Sequence, residues 1–369
     1  MDALSNLFYQ VIPFLLIITI LITVHEFGHY IAARYYKVAI HTFSIGFGKT
    51  IWKKIDKNGV TWQICMLPLG GYVRMASLDL LDVKKELGEM TAERYEQLKK
   101  YTMEGQTTIG RIIIAAAGPI TNIFFAFVVM TGLFMYGDTA TKIRCVVPES
   151  PAAEAGLKKG DILLPLPQNS DFPLGYVAGK PNQFSAILLR DGNKKTISFT
   201  KRDVDFKACD GAYDVNKKYA GITQEFKVSR ALKRGFIDSA DKSVKNIKNY
   251  FSQSFQSLAS LLGINNNQSD NENSFGGVIA IQQMTAQISQ ISFWHTILFS
   301  ASLSLALAFF NLLPIPILDG GHILLAIIEG VARKRLSRKI RGIITFIGLA
   351  FMLFLFIVLV NIDLLRILA

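Results

Sequence analysis

The chain has 369 residues, half of them hydrophobic and only 18 % charged, with a mean hydropathy of +0.32. That balance excludes an ordinary soluble enzyme and fits an integral membrane protein with room for more than one domain. The net charge of +12 comes without a groove-reading or base-stacking motif and flanks apolar runs. Membrane lipid is therefore the expected partner, and nucleic acid is not.

Four apolar stretches come near the roughly 20 residues a bilayer needs. They cover about Val11 to Tyr35, Ile109 to Tyr136, Phe293 to Leu313 and Ile343 to Val360. No basic n-region or small-x-small cleavage site precedes the first, so it is expected to be retained. Orientation follows from the basic residues of the links. Arg333, Lys334, Arg335, Arg338, Lys339 and Arg341 lie between spans three and four with no acid among them. The basic residues at the end of span one and after it begin with Arg34 and Lys37 and go on with Lys49, Lys53, Lys54 and Lys57, whereas the N-terminal tail carries no basic residue. Both links are placed in the cytoplasm, and both termini and the long segment after span two outside.

The first span holds Thr23-Val-His-Glu-Phe-Gly-His29. In this H-E-x-x-H pattern His25 and His29 are four residues apart, which stacks both imidazoles on one helix face. Such a pair suits zinc, with Glu26 beside it to take a proton from a metal-bound water. Ionisable groups at bilayer depth are costly and point to function. His25 is about 14 residues into the span, ~21 Å along its axis, toward the cytoplasmic leaflet.

After span one, strand-like alternation flanks Asn58-Gly59, a hairpin signal. Pro68-Leu-Gly-Gly-Tyr-Val-Arg-Met75 is too apolar for an ordinary cytoplasmic loop. Two readings stand: a re-entrant or interfacial β element beside the metal site, or the edge of a small soluble sheet. On the first, Gly70, Gly71 and Tyr72 are candidate substrate-binding residues, because an exposed strand edge can pair with an extended chain. Leu78 to Glu104 is charged and helix-forming and is expected to be a solvated cytoplasmic helix. His41, in an alternating strand, is not expected to be a ligand. In span two Asn122 is polar within an apolar run; it either lines the site or bonds another helix.

Lys142 to Leu164 reads strand, short helix from Ser150-Pro151, Gly156, Gly160-Asp161 turn, strand. Its S-P-A-x-x-A-G-L-x-x-G-D run resembles a bacterial PDZ domain. Pro165 to Ser170 stands where an asparagine-glycine turn is common, and Ala186 to Phe199 reads as a hairpin. Cys145 and Cys209 would pair only if this segment faces an oxidising compartment; with Cys65 they show no C-x-x-C spacing. Apolar residues from Leu232 to Leu262 at three- and four-residue steps make one helical stripe, on the membrane or packed on the outer domain. Packing is preferred. Gly263 to Ser274 reads as a flexible link.

Two histidines leave a catalytic zinc site short of a ligand. Asp319 lies in Phe310-Asn-Leu-Leu-Pro-Ile-Pro-Ile-Leu-Asp-Gly-Gly-His322, past two prolines and at the same leaflet as the histidines by the topology above. It is preferred over His322 as the third ligand. H-E-F-G-H, G-G-Y-V-R-M, A-G-P-I-x-N, the PDZ-like insert and N-L-L-P-I-P-I-L-D-G-G appear in this order. Together they resemble the site-2 protease family of intramembrane zinc metalloproteases, in particular the bacterial branch that cleaves anti-sigma factors and remnant signal peptides. The resemblance implies one zinc ion held by His25, His29 and Asp319, Glu26 as catalytic base, and Asn311 contacting substrate or the oxyanion. It also implies transmembrane protein substrates in regulated intramembrane proteolysis, at a bacterial inner membrane. Many relatives carry a second asparagine where this chain has Ala306, and some have two PDZ domains where one copy is clear here.

The expected fold is a mainly α-helical polytopic membrane protein with four transmembrane helices, a membrane-associated β hairpin or re-entrant element, and an inserted α+β PDZ-like domain. The expected divisions are 1–36 with H-E-x-x-H, 37–106 with the β element and helical loop, and 107–137 with span two. Then come 138–228 as the PDZ-like extracytoplasmic domain, with a peptide or protein as its expected partner, and 229–291 as amphipathic helix and linker. The last are 292–332 with L-D-G and 333–369 with the basic loop and span four. A membrane zinc or cation transporter would use the same ligands but should show inverted repeats, and none is visible. A non-catalytic PDZ-bearing adaptor would have no use for Glu26.

Overall fold

In a computed structural model of the chain, the described residues are 3–148, 150–164, 175–177, 180–190, 193–200, 222–229, 234–261, 278–291 and 293–368. They form two compact units, residues 1–131 with 240–369, and residues 132–239.

The first unit begins with helix α1 (Ala3–Tyr35), whose stretch Val11–Tyr35 is long and apolar enough to cross a membrane. The helix stops in a left-handed turn. Lys37 has φ 59° and Val38 N–H reaches back 2.8 Å to the Ala33 carbonyl, satisfying an end carbonyl as a glycine C-cap would. Strands β1 (Ile40–Ile55) and β2 (Thr61–Met75) follow and pair antiparallel. The expected turn joins them: Gly59 has φ 79°, and Asp56 Oδ1 accepts the N–H groups of Asn58 at 2.7 Å and Val60 at 3.0 Å.

The outer halves of the strands pair from Ile55↔Thr61 to Phe47↔Leu67, and the inner halves from Ile40↔Met75 to Ile45↔Gly71. Thr42 to Ile45 also lie beside Thr61 to Ile64, so this stretch is flanked on both sides. Phe43 and Trp62 stack with ring centroids 4.6 Å apart. Phe43 shares a buried core with Ala32, Ala33, Val38, Ile40, Val60 and Ile114, which seats the sheet on α1.

Leu78 to Glu104 holds two helices, α2 (Leu78–Glu86) and α3 (Ala92–Lys99), capped by Ser77 and Thr91. Gly88, at φ 72°, ends the first, with Glu89 N–H on the Lys84 carbonyl. Helices α4 (Thr108–Tyr136), α8 (Phe293–Leu312) and α10 (Arg338–Leu368) supply the other three candidate spans. Helix α6 (Phe236–Leu261) carries the expected stripe. However, its Phe251 and Phe255 rings lie 6.0 and 5.0 Å from Phe309 of α8, so within this unit the stripe packs on a span. Leu232, Leu262 and the link 263–274 lie outside the described residues. Helix α7 (Val278–Ile291) was not foreseen; it packs against α1 and α8. Its run is too short and too rich in glutamine to read as a span.

Helix α9 (Asp319–Ala332) follows a six-residue loop after α8. It is tied to the first turn of α4. Arg111 Nη1 lies 2.6 Å from Glu329 Oε2, with side chains 12 % and 4 % exposed. The other Glu329 oxygen accepts Leu336 N–H at 2.9 Å.

The second unit contains β3 (Asp138–Val146), α5 (Pro151–Glu154), β4 (Ile162–Leu164), β5 (Gly175–Val177), β6 (Lys180–Arg190), β7 (Asn193–Thr200) and β8 (Ile222–Ser229). The strand order is β5-β6-β4-β3-β8, with β7 on β6 as the expected hairpin. Ile143, Ala152, Leu157, Leu163, Leu188 and Ile197 make its core. Gly156 and Gly160 take positive φ at the predicted turns. Cys145 is disulfide-bonded; Cys209 and Pro165 to Ser170 lie outside the described residues.

Asp161 accepts Lys158 N–H at 2.7 Å and both Nε and Nη2 of Arg190, at 2.7 and 2.6 Å. Burial pushes this carboxyl up, but the Arg190 bonds and the Lys158 N–H outweigh it and hold it below its ordinary value. A depressed folded-state pKa adds stability above the unfolded value of about 3.9 that is lost as pH falls through the folded value. Asp161→Asn should therefore flatten the acid limb of this unit's unfolding, measured by thermal melts from pH 6 to pH 2. Glu329→Ala should destabilise the first unit by about 3–5 kcal/mol, because it strands a buried guanidinium. Arg111→Met/Glu329→Leu should recover much of that loss in the same melts.

Candidate metal centre

Helix periodicity alone stacks His25 over His29; the neighbouring elements then fix where the rings point. Their Nε2 atoms lie 3.2 Å apart, and both residues are buried. His29 Nδ1 donates to the Ile114 carbonyl at 2.8 Å, which leaves its Nε2 lone pair facing inward. The carbonyl comes from α4, three residues after Arg111.

Glycines allow that approach. A Cβ on Gly28 of α1 would sit 2.4 Å from the Ala117 carbonyl oxygen and 2.3 Å from Thr121 Oγ1. A Cβ on Gly118 would sit 2.4 Å from His29 Nε2 and 2.7 Å from His25 Nε2. Gly118 therefore leaves open the space in front of both ring nitrogens.

Asp319 arrives from the other end of the chain. Pro314 and Pro316 cannot donate to a helix ladder, so α8 ends before them. Ile317 takes φ 87°, a conformation that costs a β-branched residue of order 1–3 kcal/mol. The loop lies so close over Gly320 and Gly321 that a Cβ on either would come within 2.3 Å of a loop carbonyl oxygen. Asp319 then opens α9 with Oδ2 3.0 Å from His25 Nε2 and Oδ1 3.3 Å from His29 Nε2.

The cluster fits zinc. Bonds of 2.0–2.1 Å in a tetrahedral site put neighbouring ligand atoms about 3.4 Å apart, close to the 3.2, 3.0 and 3.3 Å found here. Asp319 Oδ2 is buried and has no hydrogen-bond partner among the described residues. Two imidazoles and a carboxylate are the usual donor types of a catalytic zinc site, which keeps a further position open. Among the described residues no other group of three such side chains converges, and His322 is outside this one.

Glu26 sits beside the cluster, half-buried, with Oε2 accepting Val73 N–H at 3.0 Å. Strand β2 thus runs along α1, as Thr19 Oγ1 also shows by its bond to the Pro68 carbonyl. A Cβ on Gly70 would meet Phe47 and Ile22, and one on Gly71 the Ser44 carbonyl. The Tyr72 hydroxyl accepts Gln63 Nε2 at 3.1 Å. Asn311 donates to the Leu307 carbonyl of its own helix at 3.0 Å. His41 is exposed. Ile114, Val73 and Gly118 escaped the sequence reading. The first two act through backbone atoms, and Gly118 acts by lacking a side chain.

The profile of peptidase family M50 matches residues 13–355. The candidate zinc metalloprotease RC0203 of Rickettsia conorii is 32 % identical over 96 % of this chain and 98 % of its own length. Metalloprotease MmpA of Caulobacter vibrioides is 29 % identical over 93 % of this chain and 92 % of its own. A match running from residue 13 to residue 355 takes in both halves of the ligand set, and the chain belongs to peptidase family M50, the site-2 protease family of zinc metalloproteases.

Proposed function

We propose that the chain hydrolyses peptide bonds within or beside transmembrane segments of membrane proteins, of the anti-sigma-factor or remnant-signal-peptide type, with Glu26 as general base. The observation that carries this reading is the Glu26 carboxylate held on β2 beside the His25, His29 and Asp319 cluster. Zinc bound there would polarise the scissile carbonyl and lower the pKa of its water. Glu26 takes the proton and passes it to the leaving amine. Val73 N–H steadies the carboxylate near the cluster between the two transfers.

A helical substrate hides its carbonyls in hydrogen bonds and must unwind before cleavage. The strand Gly70 to Met75 is the proposed holder of the extended form, by strand addition at Gly70, Gly71 and Tyr72. Support comes from the pairing of Gly71 with Ile45 and of Tyr72 with Ser44, which among the described residues leaves the other edge of this stretch without a partner strand. Asn311 is proposed to contact substrate or the oxyanion. The outer unit is proposed to be PDZ-like and extracytoplasmic, with a peptide or protein ligand, supported by its sequence run and its strand-helix-turn-strand start. The basic links support a multi-pass protein of a bacterial inner membrane with the site toward the cytoplasmic leaflet.

Glu26→Gln should abolish cleavage of a reporter transmembrane substrate while zinc stays bound. Cleavage at the wild-type rate by a folded variant would overturn the assignment. His25→Ala and Asp319→Ala should each lower bound zinc, measured by metal analysis of the purified protein. Gly118→Ala should do the same, because its methyl group would occupy the space between the two Nε2 atoms; full zinc content in that variant would show that the helices separate freely.

A further inference from the structure

The rings of His25 and His29 are not oriented by the same kind of partner. His29 has a backbone carbonyl on Nδ1. His25 Nδ1 instead faces Asn122 Nδ2 at 3.2 Å. Asn122 is completely buried, and its Oδ1 has no hydrogen-bond partner among the described residues. Its contact with α8 is made by its backbone, whose carbonyl accepts Ser304 Oγ at 2.9 Å. The residue is therefore anchored while its amide remains uncommitted on the oxygen side.

We infer that Asn122 is a positioning residue for metal capture, its side-chain oxygen holding the His25 ring with Nδ1 protonated and Nε2 aimed at the site. A neutral imidazole that binds a metal through Nε2 carries its proton on Nδ1. Two N–H donors at 3.2 Å repel, so the loaded site requires an acceptor where Nδ2 now stands. A half-turn of the amide exchanges nitrogen and oxygen almost in place. No bond to Oδ1 opposes the turn, and it replaces a donor–donor encounter with a hydrogen bond to the ligand. Asn122 would then do for His25 what the Ile114 carbonyl does for His29. A carbonyl-type acceptor behind a ligating imidazole fixes the tautomer and raises the basicity of the ligand.

This inference rests on the zinc reading of the cluster, and the test separates the two. Zinc affinity is measured by chelator competition on the purified full-length protein, with apo-protein melting as the folding control. Asn122→Leu should weaken zinc about 10- to 100-fold. Asn122→Asp, an acceptor with no donor, should restore binding toward wild type. Wild-type affinity in Asn122→Leu, or binding by Asn122→Asp as weak as by Asn122→Leu, would overturn the inference with the zinc reading intact. If Asn122→Leu does not fold, Asn122→Asp against wild type decides alone, and a large loss there overturns it. A wild-type protein that takes up no zinc would overturn both readings.

Discussion

The structure depends on how closely α1 and α4 approach. Most helices meet through side chains; here two glycines remove them at successive points of one seam. Gly28 admits the Ala117 carbonyl and the Thr121 side chain, and Gly118 admits the two imidazoles. Backbone groups of α4 can then act as ligand supports. Widening the seam would take the Ile114 carbonyl away from His29 Nδ1 and Ile114 away from Ala32 and Ala33 of α1. In a bilayer the hydrophobic effect offers little drive between helices, so small residues and close van der Waals contact carry such a seam.

The polar groups of the first unit follow from the same constraint. Polar groups buried in a membrane protein are costly unless they are paired within it. The partners lie on other elements: Ser304 on Asn122, Glu329 on Arg111, Val73 on Glu26, Thr131 on Ser243. Each bond therefore crosses between elements distant in sequence. Asn122 Oδ1 is an exception among the described residues, on the side chain whose Nδ2 faces His25 Nδ1. An unpartnered buried polar atom is expensive, so its place on a side chain that touches His25 points to a function that needs it.

Chemistry carried by side chains was legible in the sequence, and chemistry carried by the main chain was not. The spacing of His25 and His29, the acid at Asp319 after two helix-breaking prolines, the Asn58-Gly59 turn and the four spans each leave a mark that composition and period expose. Helix α7 leaves none, because a half-polar 14-residue run matches neither a span nor a surface helix cleanly. Gly88 splits a region that composition alone reads as one helix. The stripe on α6 was readable as a stripe, but a stripe does not name the surface it covers. Val73 and Ile114 serve through an amide hydrogen and a carbonyl oxygen that any residue could supply, so side-chain type could not single them out.

The ligand set is divided along the chain, 290 positions separating His29 from Asp319 on subtraction of their numbers, and that division governs what the remaining contacts must do. The histidines belong to α1 and are steadied by α4. Asp319 opens α9 directly after a loop that holds Ile317 at a positive φ, and two glycines beneath loop carbonyls follow it. Strain of this kind persists only where the surroundings over-determine it. The glycines fix the loop from below, and the Arg111–Glu329 pair fixes the far end of α9 to the same first turn of α4 that precedes Ile114. Helix α4 is thus the common reference for both halves. A rigid α4 can keep three ligand atoms within 4.8 Å of one another although no local sequence connects them.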